Sequence, residues 1–101
     1  MSLLLERLEI KHPIFLAPMA GVSTPELAAE VSNQGGLGSL GLGANTAETA
    51  RSQILKTQAL TEQPFQVNFF CHQSVELDPT IAQTWIDFVR PHFEQYDAEP
   101  S

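Results

Sequence analysis

Three things are scarce in this sequence: cysteine, positive charge and long apolar runs. Its 101 residues include one cysteine, Cys71, so no disulfide can form within the chain, and we expect a reducing, cytoplasmic location. Five Lys and Arg against 12 Asp and Glu give a net charge of −7, which repels phosphate backbones and argues against nucleic-acid binding. No run approaches the roughly 20 apolar residues of a membrane span, so we expect no membrane partner.

The composition is typical of a globular domain. Hydrophobic residues make up 43% of the chain and charged residues 17%, and a chain of this length holds one compact domain at most. Charged residues interrupt the apolar start, which therefore does not read as a secretory signal. The three histidines are scattered without metal-ligand spacing, and we expect no metal site.

The hydrophobic pattern predicts an α/β fold in which strands and helices alternate as βαβαβα, with parallel strands. The first strand, roughly 13–18, is continuously apolar, as in strands that are buried on both faces. The second strand, 37–42, is rich in glycine, and the third covers 65–71. A capping element over 3–10 precedes them, and the helices are expected from Pro25 to the Gly35–Gly36 pair, from residue 47 to about 58, and from Pro79.

Local signals mark the helix ends. Ser23 or Thr24 is expected to cap the first helix, and Asn45 or Thr46 the second, because a side-chain oxygen there accepts a hydrogen bond from a first-turn N–H. In the last helix, Pro91 is expected to cause a kink or an end, since proline removes a backbone donor and clashes with the preceding turn.

The first strand delivers Pro18, Met19, Ala20 and Gly21 to its carboxyl end, where parallel sheets and barrels place their ligands. Residues 36–41 match the letters of a GxGxxG dinucleotide motif, but they follow a helix and open a strand. A dinucleotide fingerprint has the opposite order. We therefore interpret these glycines as a helix end and as small residues for close packing.

Residues 13–41, PIFLAPMAGVSTPELAAEVSNQGGLGSLG, and the later FQVNFF at 65–70 resemble the start of the nitronate monooxygenases, FMN-dependent enzymes formerly called 2-nitropropane dioxygenases. The resemblance extends from about Leu4 to Pro100. It implies a TIM barrel, of which this chain would supply about three βα units, a partial barrel. Residues 1–101 would then be the N-terminal fragment of a TIM-barrel FMN-binding domain.

The resemblance also implies site residues. Ala17, Pro18 and Met19 would line the flavin ring, and Asn68 on the third strand would contact its polar edge. The family's catalytic histidine and phosphate-binding loops would lie on later strands, beyond Ser101. We therefore assign no catalytic residue here, and we expect the 101-residue chain alone to be inactive and to retain no FMN.

Other interpretations stay open at this point. A flavin-dependent enoyl-acyl-carrier-protein reductase shares much of the opening motif, whereas tRNA-dihydrouridine synthase is disfavoured by the residues that follow it and by the acidic charge. A further alternative is a non-catalytic, truncated remnant that acts only as an oligomer or a partner-bound module. In the enzyme interpretation its partners are a small nitronate and oxygen, with self-association possible. We expect His72 to be a loop histidine rather than a catalytic one, and Cys71 to be buried.

Overall fold

The structure is a computed structural model in which residues 2–99 are described. The chain divides into two compact units between Cys71 and His72. Its elements follow in the order α1 (Leu3–Leu8), α2 (Pro25–Asn33), β1 (Gly38–Gly41), α3 (Ala47–Leu60), β2 (Phe65–Asn68) and α4 (Pro79–Gln95).

β1 and β2 form a parallel two-stranded sheet in which Gly38 lies opposite Phe65 and Gly41 lies opposite Asn68. The predicted parallel arrangement is therefore confirmed for these two strands. β2 ends at Asn68 rather than continuing to Cys71 as the apolar run suggested. Each of the two strands is preceded and followed by a helix, as expected for βα units.

The segment 13–18 on the other flank of β1 is not the full strand that the sequence predicted. It forms one parallel bridge, between Phe15 and Leu37. The Leu16 N–H donates to the Leu37 carbonyl at 2.9 Å, and the Leu37 N–H donates to the Ile14 carbonyl at 2.9 Å. Prolines stand at both ends of the segment, at 13 and 18, and have no N–H to donate, so the pairing is confined to the residues between them.

Alternate residues of β1 face opposite sides of the sheet. A Cβ on Gly38 would collide with the Ala28 carbonyl, so this side faces α2, and Leu40 is fully buried on the same side. Ser39 points to the other side, where its hydroxyl accepts a hydrogen bond from Gln66 Nε2 at 2.5 Å. α2 and α3 thus cover one face of the sheet, and a partly polar face lies opposite them.

Two apolar clusters stabilise the first unit. The larger one joins α2, β1 and α3 through Ala28, Leu40, Leu42 and Ala50. The smaller one places Leu5 of α1 and Ile10 against Leu37, just before β1 begins. The predicted capping role of residues 3–10 is therefore confirmed for Leu5, Leu8 and Ile10, whereas Leu3 and Leu4 are exposed.

The second unit contains α4, which begins after the N-cap Asp78 with Pro79 in its first turn. The helix continues through Pro91 to Gln95, so Pro91 does not end it, and the alternative of a kink at Pro91 stays a prediction. Pro91 has no N–H, so only the carbonyl of Asp87, four residues earlier, loses its helical partner, while the residues after Pro91 keep their own N–H donors. Among the described residues, no helix combines the length and the apolar content that a membrane crossing requires.

Candidate functional site

The carboxyl ends of three parallel segments meet at one edge of the first unit. Gly41, the last residue of β1, pairs with Asn68, the last residue of β2. On the other flank, the chain crosses over Gly41, since a Cβ built there would lie 3.0 Å from Ala20 N and 3.1 Å from Met19 C. Met19, Gly41 and Asn68 therefore lie side by side. Ala17 and Pro18 directly precede Met19, so the structure brings all four predicted site residues to this edge.

Glycine at position 41 permits this close approach. A side chain there would be tighter than ordinary van der Waals contact with the backbone of Met19 and Ala20, so the segment would have to move away from β1. The glycine run opens β1, as the sequence predicted, and its members serve close packing on both faces of the strand.

A buried serine holds the turn that follows Ala17. The Ser23 hydroxyl donates to the Ala17 carbonyl at 2.7 Å and accepts from the Met19 N–H at 2.9 Å. The Ser23 N–H also donates to the Met19 carbonyl at 2.8 Å. Gly21 adopts a φ of 75° in the same turn, a conformation that favours glycine. Both backbone polar groups of Met19 are thus bonded to Ser23.

Asn68 presents an amide that is not used within the fold. Its backbone carbonyl accepts from the Leu42 N–H at 3.0 Å, but its side chain makes no hydrogen bond among residues 2–99. The side chain is half-buried and lies in register with Gly41, on the polar face where Gln66 bonds Ser39 one layer deeper. An amide offers donors and an acceptor, so this position suits a ligand with both.

A second amide lies in the loop after β1. The Asn45 N–H donates to the Leu42 carbonyl at 3.1 Å, while Asn45 Nδ2 is buried and has no hydrogen-bond partner within the described part of the chain. A buried donor without an acceptor costs about 1–3 kcal/mol. The carboxyl edge therefore carries a donor that an acceptor of a bound molecule would satisfy.

Cys71 and the histidines form no cluster that could hold a metal ion among residues 2–99. Cys71 is exposed, so the prediction that it is buried is wrong, because β2 ends three residues before it. Within residues 2–99, no group of three or more His, Cys, Asp and Glu residues is arranged to hold a metal ion. His72 begins the second unit and lies in the loop between β2 and α4, as predicted, while the expectation that it is not catalytic stays a prediction.

Sequence reasoning missed Ser23, Gly41 and Asn45 as parts of this edge. It treated Ser23 and Asn45 as alternative helix caps, but Thr24 and Thr46 are the N-caps of α2 and α3. No local signal separated the candidates: Glu26 and Glu48 stand three residues after Ser23 and Asn45, a capping-box spacing that favours those two residues over Thr24 and Thr46 as N-caps.

Comparison with known proteins adds three findings. A model of the nitronate monooxygenase family matches residues 1–101. The curated nitronate monooxygenase of Paraburkholderia phytofirmans is 55% identical over 97 residues, covering 96% of this chain and 26% of that protein. The nitronate monooxygenase of Pseudomonas aeruginosa is 48% identical over 93 residues, covering 92% of this chain and 26% of that protein. The chain spans about a quarter of the length of these curated relatives.

Solved structures show the same likeness. Nitroalkane oxidase from Streptomyces ansochromogenes superposes with a TM-score of 0.80 and 38% identity, covering 97% of this chain and 27% of that one. FabK from Thermotoga maritima superposes with a TM-score of 0.60 and 37% identity, covering 83% of this chain and 25% of that one.

Proposed function

This chain belongs to the nitronate monooxygenase family, and on that premise we propose that it forms one wall of an FMN site in an enzyme that oxidises alkyl nitronates with oxygen. The observation that carries the proposal is the meeting of Met19, Gly41 and Asn68 at the carboxyl edge of the parallel segments. Ligands of parallel α/β folds bind at that edge.

The residues at the edge fit a flavin. An isoalloxazine ring needs an apolar wall, and Pro18 and Met19 are exposed there, Met19 to 42%. The ring's pyrimidine edge needs both donors and acceptors, which the unbonded amide of Asn68 offers. The orphaned Asn45 donor supports a polar ligand at the same edge. These observations support FMN contact at Ala17, Pro18, Met19 and Asn68.

When bound, FMN supplies the redox chemistry, in which the nitronate is oxidised and oxygen is reduced. Pro18 and Met19 would provide the apolar wall against which the ring is held, and they would exclude water from that side. The Asn68 amide orients the ring by hydrogen bonds to its polar edge. We assign no proton transfer to a residue of this chain, because no histidine or carboxylate of the described residues lies among the four that line the edge.

We further propose that the chain provides the first βα units of a TIM barrel. Three parallel segments, each followed by a helix, support this arrangement, as does the likeness to nitroalkane oxidase. A complete barrel has eight such units and roughly 250 residues. We expect the catalytic base and the phosphate-binding loops of the enzyme on units other than these.

The flavin-dependent enoyl reductase is the weaker alternative. The matching family model carries the nitronate monooxygenase description, and so do two curated relatives that are 55% and 48% identical to this chain. The segment that both families share, residues 17–19, does not separate them. A test with the nitronate substrate does.

The test uses the full-length protein that contains this chain. We expect it to bind FMN and to consume oxygen when an alkyl nitronate is added, measured with an oxygen electrode. Asn68→Ala should raise the FMN dissociation constant about tenfold, the effect of losing one or two hydrogen bonds. Gln66→Ala is the matched control, since it removes an amide from the same face of β2, two residues before Asn68 and away from the carboxyl edge. The control should leave the FMN dissociation constant unchanged.

Three outcomes would contradict the proposal. If the full-length protein binds no flavin, the interpretation of the chain as part of a non-catalytic module is favoured. Flavin without nitronate oxidation would favour the reductase. An unchanged FMN affinity in Asn68→Ala would remove Asn68 from the site. Residues 1–101 expressed alone are expected to retain no FMN, and a yellow fragment with stoichiometric flavin would refute that expectation.

A further inference from the structure

The turn that carries Pro18 and Met19 owes its position to one side chain. We propose, on the basis of the flavin site proposed above, that Ser23 is a positioning residue that sets the distance and angle of the Pro18–Met19 wall against the cofactor. Ser23 does not itself touch the flavin in this proposal. It acts through the backbone of Ala17 and Met19.

Both hydrogen bonds of the Ser23 hydroxyl go to the backbone around Pro18. It donates to the Ala17 carbonyl at 2.7 Å and accepts from the Met19 N–H at 2.9 Å, so one oxygen bridges the residues on either side of Pro18. Ser23 is only 5% exposed, so water does not compete for these bonds. Pro18 has no N–H to donate, so its position is fixed through the hydrogen bonds that Ala17 and Met19 make with Ser23.

Apolar packing does not explain the turn's position. The turn from Met19 to Val22 is exposed, and Val22 has 57% of its surface open. No heavy atom beyond the chain neighbours lies within 4 Å of a Cβ placed on Gly21. Besides the close approach of the Met19–Ala20 backbone to Gly41, the hydrogen bonds of Ser23 are the contacts that fix the wall.

Helix capping does not explain Ser23 either. Thr24 is the N-cap of α2, and its hydroxyl accepts from the Leu27 N–H at 3.2 Å. Ser23 thus connects the turn to a helix start that is already capped. Because α2 packs against β1, the wall is anchored through Ser23 to the core of the first unit.

The chain contains a matched control for this role. Ser32 is 2% exposed, and its hydroxyl accepts from the Gly38 N–H at 2.9 Å and donates to the Pro64 carbonyl at 2.7 Å. The number, length and burial of these bonds match those of Ser23. Ser32, however, lies where β1 and β2 begin, at the amino end of the sheet, whereas Ser23 acts at the carboxyl end.

The experiment compares Ser23→Ala, Ser23→Thr and Ser32→Ala in the full-length protein. We expect both alanine variants to lose similar thermal stability, since each loses two buried hydrogen bonds. Only Ser23→Ala should raise the FMN dissociation constant, by about tenfold, and shift the visible flavin absorption and circular dichroism. Ser23→Thr keeps the hydroxyl and should restore affinity and spectrum toward those of the unmodified protein.

Amide hydrogen exchange tests the hydrogen bond from the Met19 N–H to Ser23 independently of flavin binding. The exchange rate of the Met19 amide should rise in Ser23→Ala and should not change in Ser32→Ala. If Ser23→Ala leaves the Met19 amide protected, or if both alanine variants change the flavin spectrum equally, the positioning role is wrong while the flavin site stands. If the unmodified full-length protein binds no FMN, the proposed function fails and this inference fails with it.

Discussion

At the residue scale, an ion pair joins the two helices of the first unit at their surface. Lys56 Nζ of α3 lies 2.6 Å from Glu26 Oε1 of α2. The hydrogen bond from Lys56 is the main reason that the pKa of Glu26 is lowered, with its own backbone N–H, the charge of Lys56 and the Thr24 hydroxyl adding to the effect. Partial desolvation opposes the shift. Both side chains are more than half exposed, so salt screens the pair.

Removing the cation should reverse this shift. In Lys56→Gln, we expect the pKa of Glu26 to rise toward its ordinary value, because the largest cause of the lowering is lost. Because the pKa of Glu26 is lower in the folded chain, its ionised form stabilises the fold at any pH above the ordinary pKa of the group. That stabilisation is lost as the pH falls through the lowered pKa of the folded chain. Carboxyl NMR titration of Glu26 measures the change.

Arg51→Gln serves as the control, since it removes another α3 cation that forms no ion pair among residues 2–99. The control should leave the Glu26 titration where it is. An equal shift in both variants would mean that net charge, rather than the Lys56 contact, lowers the pKa of Glu26.

At the element scale, the distance between α2 and β1 depends on the absence of a side chain at residue 38. A Cβ on Gly38 would collide with the Ala28 carbonyl and lie 2.7 Å from Ser32 Oγ, which itself bonds the Gly38 N–H. The helix therefore packs directly on the strand backbone. This contact places α2, and with it the start of the turn at Ser23, relative to the carboxyl edge.

Gly38→Ala should therefore separate the helix from the strand. We expect it to lower the free energy of unfolding by about 3 kcal/mol, because backbone rather than a flexible side chain must move. Gly21→Ala is the comparison: its added Cβ meets no atom within 4 Å, and only the left-handed φ of 75° is strained. That strain costs about 1–2 kcal/mol. Urea unfolding measures both, and an equal loss would contradict the steric argument.

At the scale of the whole molecule, the first unit leaves apolar surface and strand edge open. No strand among residues 2–99 pairs with the outer edge of β2, and Val67 and Phe69 in and after β2 are 40% and 52% exposed. An apolar groove of about 450 Å³ runs between Phe69 and one side of α3. Open strand edges of this kind pair with other copies of the same chain.

Residues 1–101 expressed alone should self-associate. We expect a molecular mass above that of one chain by light scattering, and the mass should rise with concentration. Val67→Lys should reduce the association, because a charge on an edge strand opposes pairing. Val75→Lys introduces the same charge in an exposed part of the second unit and should have no such effect. A monomer at every concentration would show that the edge of β2 is not adhesive.

Several features were readable from local sequence because their physical causes are local. The Thr24-Pro25 start of α2 and the Asp78-Pro79 start of α4 combine a cap with a proline suited to the first turn. The resemblance of residues 13–41 to a known family was likewise contained in adjacent residues, and the family membership is confirmed. The predicted flavin contacts of Met19 and Asn68 stay a prediction, although the structure brings them together.

Caps, prolines and apolar periodicity act between neighbouring residues, so local sequence was enough to predict the family and the order α2, β1, α3, β2, α4. The crossover rule added the parallel pairing of β1 and β2. The reduction of the 13–18 segment to a single bridge depends on tertiary contacts, as does the bonding of Ser23 to Ala17 and Met19 while Thr24 caps α2. Contacts such as that of Ser39 with Gln66 join residues 27 positions apart. Their partners are set by strand register and by how closely α2 approaches β1, which no local pattern encodes.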